Sequence, residues 1–314
     1  MKERGWIADG IGASSFEKLA SGLAGSQLHS VLLEVMRRRA GERSPAELLA
    51  QYRRDRFCAP AAIDLRSMLA IESELLAASN QFEALDLSPV APLGVCSTVA
   101  LTDQNRVLSA LRMTEIVSDP TNVLALECAL RLRSGRAAPI DLATSQRVVR
   151  AQPVPNQPGY SQHFRMFALA SGGRETESHG FTVQTVVKHV RTMLDALDRL
   201  ERRGYAFGKR RVEVLATAER EEIADRIAES FADLAARKRL EHPYYTGGLR
   251  FQIWVTAPDG SEVPLVDGGT FDWLAKLVSN RRAVYIATGA GAQLIAMRFC
   301  NEPGTRQASP SAKP

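Results

Sequence analysis

A chain of 314 residues, 45% of them hydrophobic, can bury at least one sizeable core, which excludes a disordered polymer. Its 40 basic and 35 acidic residues are interspersed and leave a formal charge of +5, which fits a solvated surface better than a nucleic-acid footprint. Cys58, Cys96, Cys128 and Cys300 are too scattered for a disulfide framework or a zinc ribbon. No stretch reaches the roughly 18 apolar residues of a membrane span, and no signal-peptide run opens the chain, so a cytoplasmic protein without a membrane contact is expected.

Residues 1–62 read as a helical extension. Ser14 with Glu17 forms the pattern of a capping box, and Phe16, Leu19, Leu23, Leu28, Val31, Leu32 and Val35 follow helical spacing up to Arg37–Arg39 and Gly41. The arginines sit where a helix C-terminus favours cations. Ser44-Pro45-Ala46-Glu47 starts a second helix, with a cap, a proline at the first position and a glutamate at the third. A helix over Asp64–Ala78 leads into a strand in which Leu85 and Leu87 alternate with polar residues and Pro89 ends the run.

Asp119-Pro120-Thr121 turns the chain into a helix carrying Val123, Leu124, Leu126, Leu130 and Leu132. Its carboxylate and hydroxyl suit either an N-cap or the seat of an ammonium group. A strand ends at Arg150, a proline-rich loop follows, and Phe164 and Phe167 lie on the returning strand. Val183 to Leu200 form the apolar stripe of a long helix ended by Gly204. His179 and His189, ten residues apart, do not have metal-ligand spacing, and no metal site is expected. RRVEVLA reads as a strand, and residues 216–240 as one amphipathic helix ending in Arg237, Lys238 and Arg239. Leu249–Val255 and Val263–Val266 make a hairpin around Asp259-Gly260. Gly247-Gly248 and Gly268-Gly269 flank it, either as simple turns or as places where backbone approaches a ligand beside Tyr244, Tyr245 and Asp272. The GAGAQ run near the end lacks the spacing and the following acidic residue of a dinucleotide loop. Residues 301–314 have the composition of a disordered tail.

The order of a helix and proline-ended strand, an Arg-ended strand with a returning Phe strand, a Tyr-Tyr-Thr-Gly turn, a hairpin and Gly-Gly-x-aromatic-Asp resembles the catalytic core of histidyl-tRNA synthetase. It also resembles the regulatory subunit of ATP phosphoribosyltransferase, a relative of that enzyme. The resemblance runs from about Asp64 to Phe299. It implies an α+β fold of the class II aminoacyl-tRNA synthetase and biotin synthetase-like kind, an antiparallel sheet flanked by helices over residues 63–300. It also implies a homodimer through the first helix–strand pair.

By the same resemblance Arg150 and Arg239 are the candidate catalytic residues. Asp119, Thr121, Arg150, Phe164, Tyr244, Tyr245, Gly268, Gly269 and Asp272 are the candidate ligand-binding ones. The departures are as informative. Val117-Ser118 replace an Arg-Pro, Gln152 a Glu, and Met166 and Ala170 the Gln and Glu of imidazole recognition. Thr270 and Gln293-Leu294 stand where arginines belong, Arg298 lies a turn later, and the loop 153–162 holds no Arg or Lys. With no anticodon-binding domain in sight, tRNA is not an expected partner. The expected function is a non-aminoacylating paralogue that binds a small amino-acid-like metabolite or regulates a partner enzyme, with no certain cofactor. The alternatives are an adenylate-forming ligase using ATP and magnesium, and an RNA-binding relative.

Overall fold

The computed structural model describes residues 9–155 and 160–300; the expected disordered tail and the middle of the proline-rich loop lie outside the described residues. An eight-stranded sheet organises the chain in the order β1-β5-β6-β11-β10-β9-β7-β8. Its strands are β1 (Glu83–Ala84), β5 (Ile140–Val149), β6 (His163–Arg174), β7 (Arg210–Ala216), β8 (Ala235–Arg239), β9 (Leu249–Thr256), β10 (Glu262–Phe271) and β11 (Ala283–Ala290). The central pairs are antiparallel, and only the two edges, β1 on β5 and β8 on β7, run parallel. Three short strands, β2 (Val90–Pro92), β3 (Ser109–Ala110) and β4 (Thr114–Ile116), form a separate small sheet in the order β2-β4-β3.

Period-two alternation gives the large sheet two faces, and each is covered differently. One packs on α4 (Leu65–Ala78), α6 (Gly180–Arg202), α7 (Glu221–Glu229) and α9 (Ala292–Arg298). There Met68, Ile71, Val190, Leu197 and Ile227 meet Phe167, Val212, Phe251 and Ile253. The other packs on α5 (Pro120–Arg133) and α8 (Trp273–Val278), where Leu124, Cys128 and Trp273 meet Leu142, Ala168 and Tyr285. This second cover is partial, and the uncovered ends of β5, β6, β10 and β11 floor the candidate site.

The N-terminal stretch differs from its sequence reading. Ser14 does not cap: Gly12 precedes the short helix α1 (Ala13–Glu17), a π-turn follows over Lys18–Gly22, and Leu23 is extended before α2 (Gly25–Gly41). Gln27, not a serine, receives the Ala24 amide at the start of α2. The second expected cap does form: Ser44 accepts from the Glu47 amide at the start of α3 (Pro45–Arg54), and Glu47 accepts from the Ser44 amide. None of α1–α3 contributes a buried side chain.

Two further elements are corrected by tertiary structure. The predicted strand at Leu85–Leu87 is paired only over Glu83–Ala84, with Leu85 donating to the Ala143 carbonyl; Leu85 and Leu87, partly buried, pack against the core cluster that α5 helps to form. The predicted helix over 216–240 ends at Glu229. Phe231 and Leu234 then fold into the core, and Ala235–Arg239 become the edge strand β8. The outer edge of β7 needs partners for its backbone, and β8 supplies them along Val212–Ala216, outweighing the helical propensity of Ala-Ala-Arg-Lys-Arg. Lys238 gains the buried Glu213 as a partner there, and Arg237 gains Asp225.

The hairpin of β9 and β10 forms as expected, with Gly260 at φ 81 in its turn, but β10 runs on to Phe271 past a bulge after Pro264. Among the described residues no helix is long and apolar enough to cross a membrane.

His189, wholly buried on α6, ties the helix to two strands. Its ring nitrogens contact the hydroxyls of Ser171 on β6 at 2.8 Å and Thr288 on β11 at 2.7 Å, and Ser171 donates in turn to Asp141. Burial, and then the neighbouring Lys188 charge, hold its pKa well below the usual imidazole value. Folding therefore favours the neutral ring. That contribution is fully present above about pH 6.5, the unfolded value, and is lost as pH falls below it. Urea denaturation between pH 7.5 and 5.5 should show wild-type stability falling toward acid, with a flatter dependence in His189→Gln, which keeps hydrogen-bonding groups without the titration.

Candidate functional site

A cleft of about 340 Å³ opens on the partly covered face of the sheet, between the start of α5, the strand ends and the Tyr244 turn. The start of α5 is held from two sides. Asp119 caps the helix, its Oδ1 accepting from the Thr121 amide at 3.0 Å and the Thr121 hydroxyl at 2.7 Å. From below, Tyr285 on β11, wholly buried, donates its hydroxyl to the Thr121 carbonyl at 2.6 Å. From the side, Arg150, just past the end of β5, donates through Nε to the Ser118 carbonyl at 3.0 Å and places Nη2 3.6 Å from Asp119 Oδ2. Asp119 thus caps the helix through one carboxylate oxygen and faces Arg150 with the other.

An aromatic cluster forms the opposite wall. Phe271 stacks on Trp273 with ring centroids 4.0 Å apart, and Tyr244 lies edge-on to both. Tyr245 donates its hydroxyl to Asp267 at 2.7 Å, while Arg250 binds the same carboxylate through two nitrogens and lies over the Tyr245 ring at 4.9 Å. Burial, followed by the Asp119 charge for Tyr244 and the Asp267 charge for Tyr245, pushes both phenols well above their usual pKa, so both remain protonated donors. Met166, Ala287 and Gly289 complete the apolar floor.

At the inner end, the buried Cys96 contacts Ser118 Oγ at 2.9 Å and accepts from Asn122 Nδ2 at 3.1 Å. Burial pushes its thiol up to about 11 against those hydrogen bonds, so it is a protonated thiol at neutral pH and a poor nucleophile. Its turn is fixed by Glu115, which accepts from the amides of Gly94 and Cys96 and from Gln104. Burial would raise the Glu115 carboxyl, but these hydrogen bonds outweigh it and hold it below the usual carboxylate range.

Asp119, Thr121, Arg150, Tyr244, Tyr245 and Gly268 therefore converge on the cleft from distant parts of the chain. The other nominated residues do not line it. Phe164 lies beneath the Arg150 guanidinium, 5.2 Å from its ring centroid, so that face is already taken. Gly269 is covered by Tyr245: a Cβ there would collide with that ring and with the Leu249 carbonyl, so the glycine serves packing. Asp272 accepts from the Thr246 hydroxyl at 2.8 Å and pairs with Lys276, outside the cleft. Arg239 is exposed at the end of the edge strand β8, because the helix expected to carry it toward Tyr244 stops ten residues earlier. Arg298 is tied to Asp259 and Ser261 in the hairpin turn and cannot stand in for the missing arginine near Gln293.

Sequence reasoning missed Cys96, Arg106, Asn122, Asp267 and Thr288. Asn122 falls one helical turn beyond Asp119, and Asp267 alternates with Gly269 and Phe271 on one strand face, so both carry a periodic signal. Cys96 and Arg106 sit in turns, where periodicity says nothing. Among the described residues, no group of three or more His, Cys, Asp or Glu side chains could hold a metal ion.

This sheet, with its helix-capped cleft, defines the fold of a class II aminoacyl-tRNA synthetase-like catalytic core. In particular, the chain is similar to an ATP phosphoribosyltransferase regulatory subunit/histidyl-tRNA synthetase from Bacillus halodurans, with a TM-score of 0.56 and 14% identity over 76% of this chain and 82% of that one. It is also similar to histidyl-tRNA synthetase from S. aureus, with a TM-score of 0.57 and 11% identity over 76% and 69%. A histidine-tRNA ligase subunit from Alicyclobacillus acidocaldarius matches with a TM-score of 0.55 and 13% identity over 76% and 96%. No family model matches the chain, and no curated protein matches it by sequence.

The cap at Asp119 carries a direct expectation. Asp119→Ala should destabilise the protein by about 1 kcal/mol in urea unfolding through loss of the cap, whereas Asp119→Asn, itself a good capping residue, should cost much less.

Proposed function

We propose that the cleft binds a small amino-acid-like metabolite and that the chain does not activate it with ATP. The observation that carries this reading is the distribution of charge. Arg150, the candidate for neutralising a reacting phosphate, already serves Ser118 and Asp119, and Arg239 and Arg298 lie elsewhere. Losing one charge-assisted contact to a reacting group costs on the order of 3 kcal/mol in the transition state. With cations missing at Thr270, at Gln293-Leu294 and in the loop 153–162, three such losses amount to roughly six to seven orders of magnitude in rate. The face of Phe164, where an adenine would stack in a synthetase, is occupied by Arg150. Met166, in place of a polar residue, and the aromatic wall favour a ligand with an apolar portion. A volume near the lower end of ordinary ligand sites suits one small molecule better than two substrates together.

The same reading includes a homodimer, and a regulatory role toward a partner enzyme in keeping with the regulatory subunit among its structural neighbours. Leu65, Leu69 and Leu76 of α4 are exposed along one side of a helix whose other side is core, and such a stripe supports a contact between two copies. Light scattering should give a dimer for the wild-type chain and a monomer for Leu69→Glu.

A thermal-shift screen tests the ligand. An amino acid or close analogue at 100 times its Kd should stabilise the protein by about 2.7 kcal/mol, while ATP with magnesium should have no effect. Amino-acid-dependent pyrophosphate exchange would overturn the reading in favour of an adenylate-forming ligase.

A further inference from the structure

We propose that Arg106 is the anion-binding residue of the cleft, and that with Asn122 it selects a ligand bearing a carboxylate and an N–H donor. The inference rests on the reading of the cleft as a metabolite site, and it deepens that reading by assigning the recognition to residues outside the motifs.

The charges of the cleft are matched everywhere but at Arg106. Asp119 is paired with Arg150 and accepts two further hydrogen bonds from Thr121. Asp267 is paired with Arg250 and accepts from Tyr245. Arg106 also lines the cleft, yet among the described residues its guanidinium has no carboxylate partner and no hydrogen bond. Its backbone is firmly placed. Asp103 caps the turn, accepting at its carbonyl from the Arg106 amide and at Oδ1 from Asn105, both within 3.0 Å. The Arg106 carbonyl accepts from the Ala151 amide at 2.9 Å, so this cation is pinned beside the residue that follows Arg150.

The second unmatched group is an acceptor. Asn122 is 1% exposed and lines the cleft; its Nδ2 donates to Cys96, but its Oδ1 is buried with no hydrogen-bond partner. Buried acceptors are nearly always satisfied, so an unmatched one in a cleft wall points to a donor brought by a ligand. A guanidinium without an anion and a buried acceptor without a donor together ask for an acid at one end of the ligand and an amine or amide N–H at the other. An amino acid meets both conditions, whereas a neutral sugar or an apolar acid meets at most one.

Titration calorimetry on the full chain, with a panel of amino acids, their α-carboxamides and their deamino acids, tests the assignment. The best-binding amino acid should weaken by roughly 10- to 100-fold as its carboxamide, the loss expected for a hydrogen bond to a charged group, and should weaken as its deamino acid as well. In Arg106→Gln, acid and carboxamide should bind alike, while the thermal midpoint without ligand stays unchanged because the side chain is exposed and unpaired. Asp119→Asn should keep the preference for the acid. If Arg106→Gln retains that preference, the assignment to Arg106 is wrong even though the cleft binds its ligand. If acetate and malonate at millimolar concentration bind in an Arg106-dependent way but no amino acid does, the anion site stands and the amino-acid reading falls. If wild type binds neither amino acids nor these carboxylates, both fall together.

Discussion

The cleft exists because the start of α5 is tied to two strands that are far apart in sequence. Tyr285 holds the Thr121 carbonyl from beneath, and Arg150 holds Ser118 and Asp119 from the side. Each tie is buried or partly buried, and each satisfies a backbone or carboxylate group that the helix start would otherwise leave open. With both in place, the helix covers only one part of the sheet face. The strand ends beyond it are left to line a concave site.

That arrangement also fixes the shape of the cleft through a few self-contained groups of contacts. Asp119 and Arg150 are held by capping, a backbone carbonyl and each other. The aromatic wall is similarly self-contained: Phe271, Trp273, Tyr244 and Tyr245 pack among themselves, and Arg250 closes the far end on Asp267. Shape and chemistry are therefore separable in this fold, and a shared fold does not carry a shared reaction with it.

The helices α2 and α3 present the opposite case. Val31, Leu32, Val35 and Met36 on one, and Leu48, Leu49 and Tyr52 on the other, are exposed. Isolated helices of 10 to 17 residues gain little from propensity alone in water. The contacts to the core come after these helices, where Arg56 donates to the carbonyls of Pro155 and Tyr160 and His163 contacts the Ala59 carbonyl.

Local pattern was enough to read the α6 stripe, the β9–β10 hairpin, the Ser44 cap and the Asp119 helix start, because each rests on contacts within a few residues or on a simple period. The ordered resemblance from Asp64 to Phe299 was enough to read the fold and to bring Asp119, Thr121, Arg150, Tyr244, Tyr245 and Gly268 to one place. Tertiary structure alone decided the rest. The stretch Ala235–Arg239 became a strand because the edge of β7 lacked backbone partners. Gly269 became a packing position because Tyr245 lies over it, and Arg239 was carried away from the cleft. Arg106 and Cys96 reached the site through turns whose positions follow from hydrogen bonds to Ala151 and Glu115. Secondary structure is set largely by neighbours along the chain, whereas the partners of a charge are set by neighbours in space, and only the folded protein brings those together.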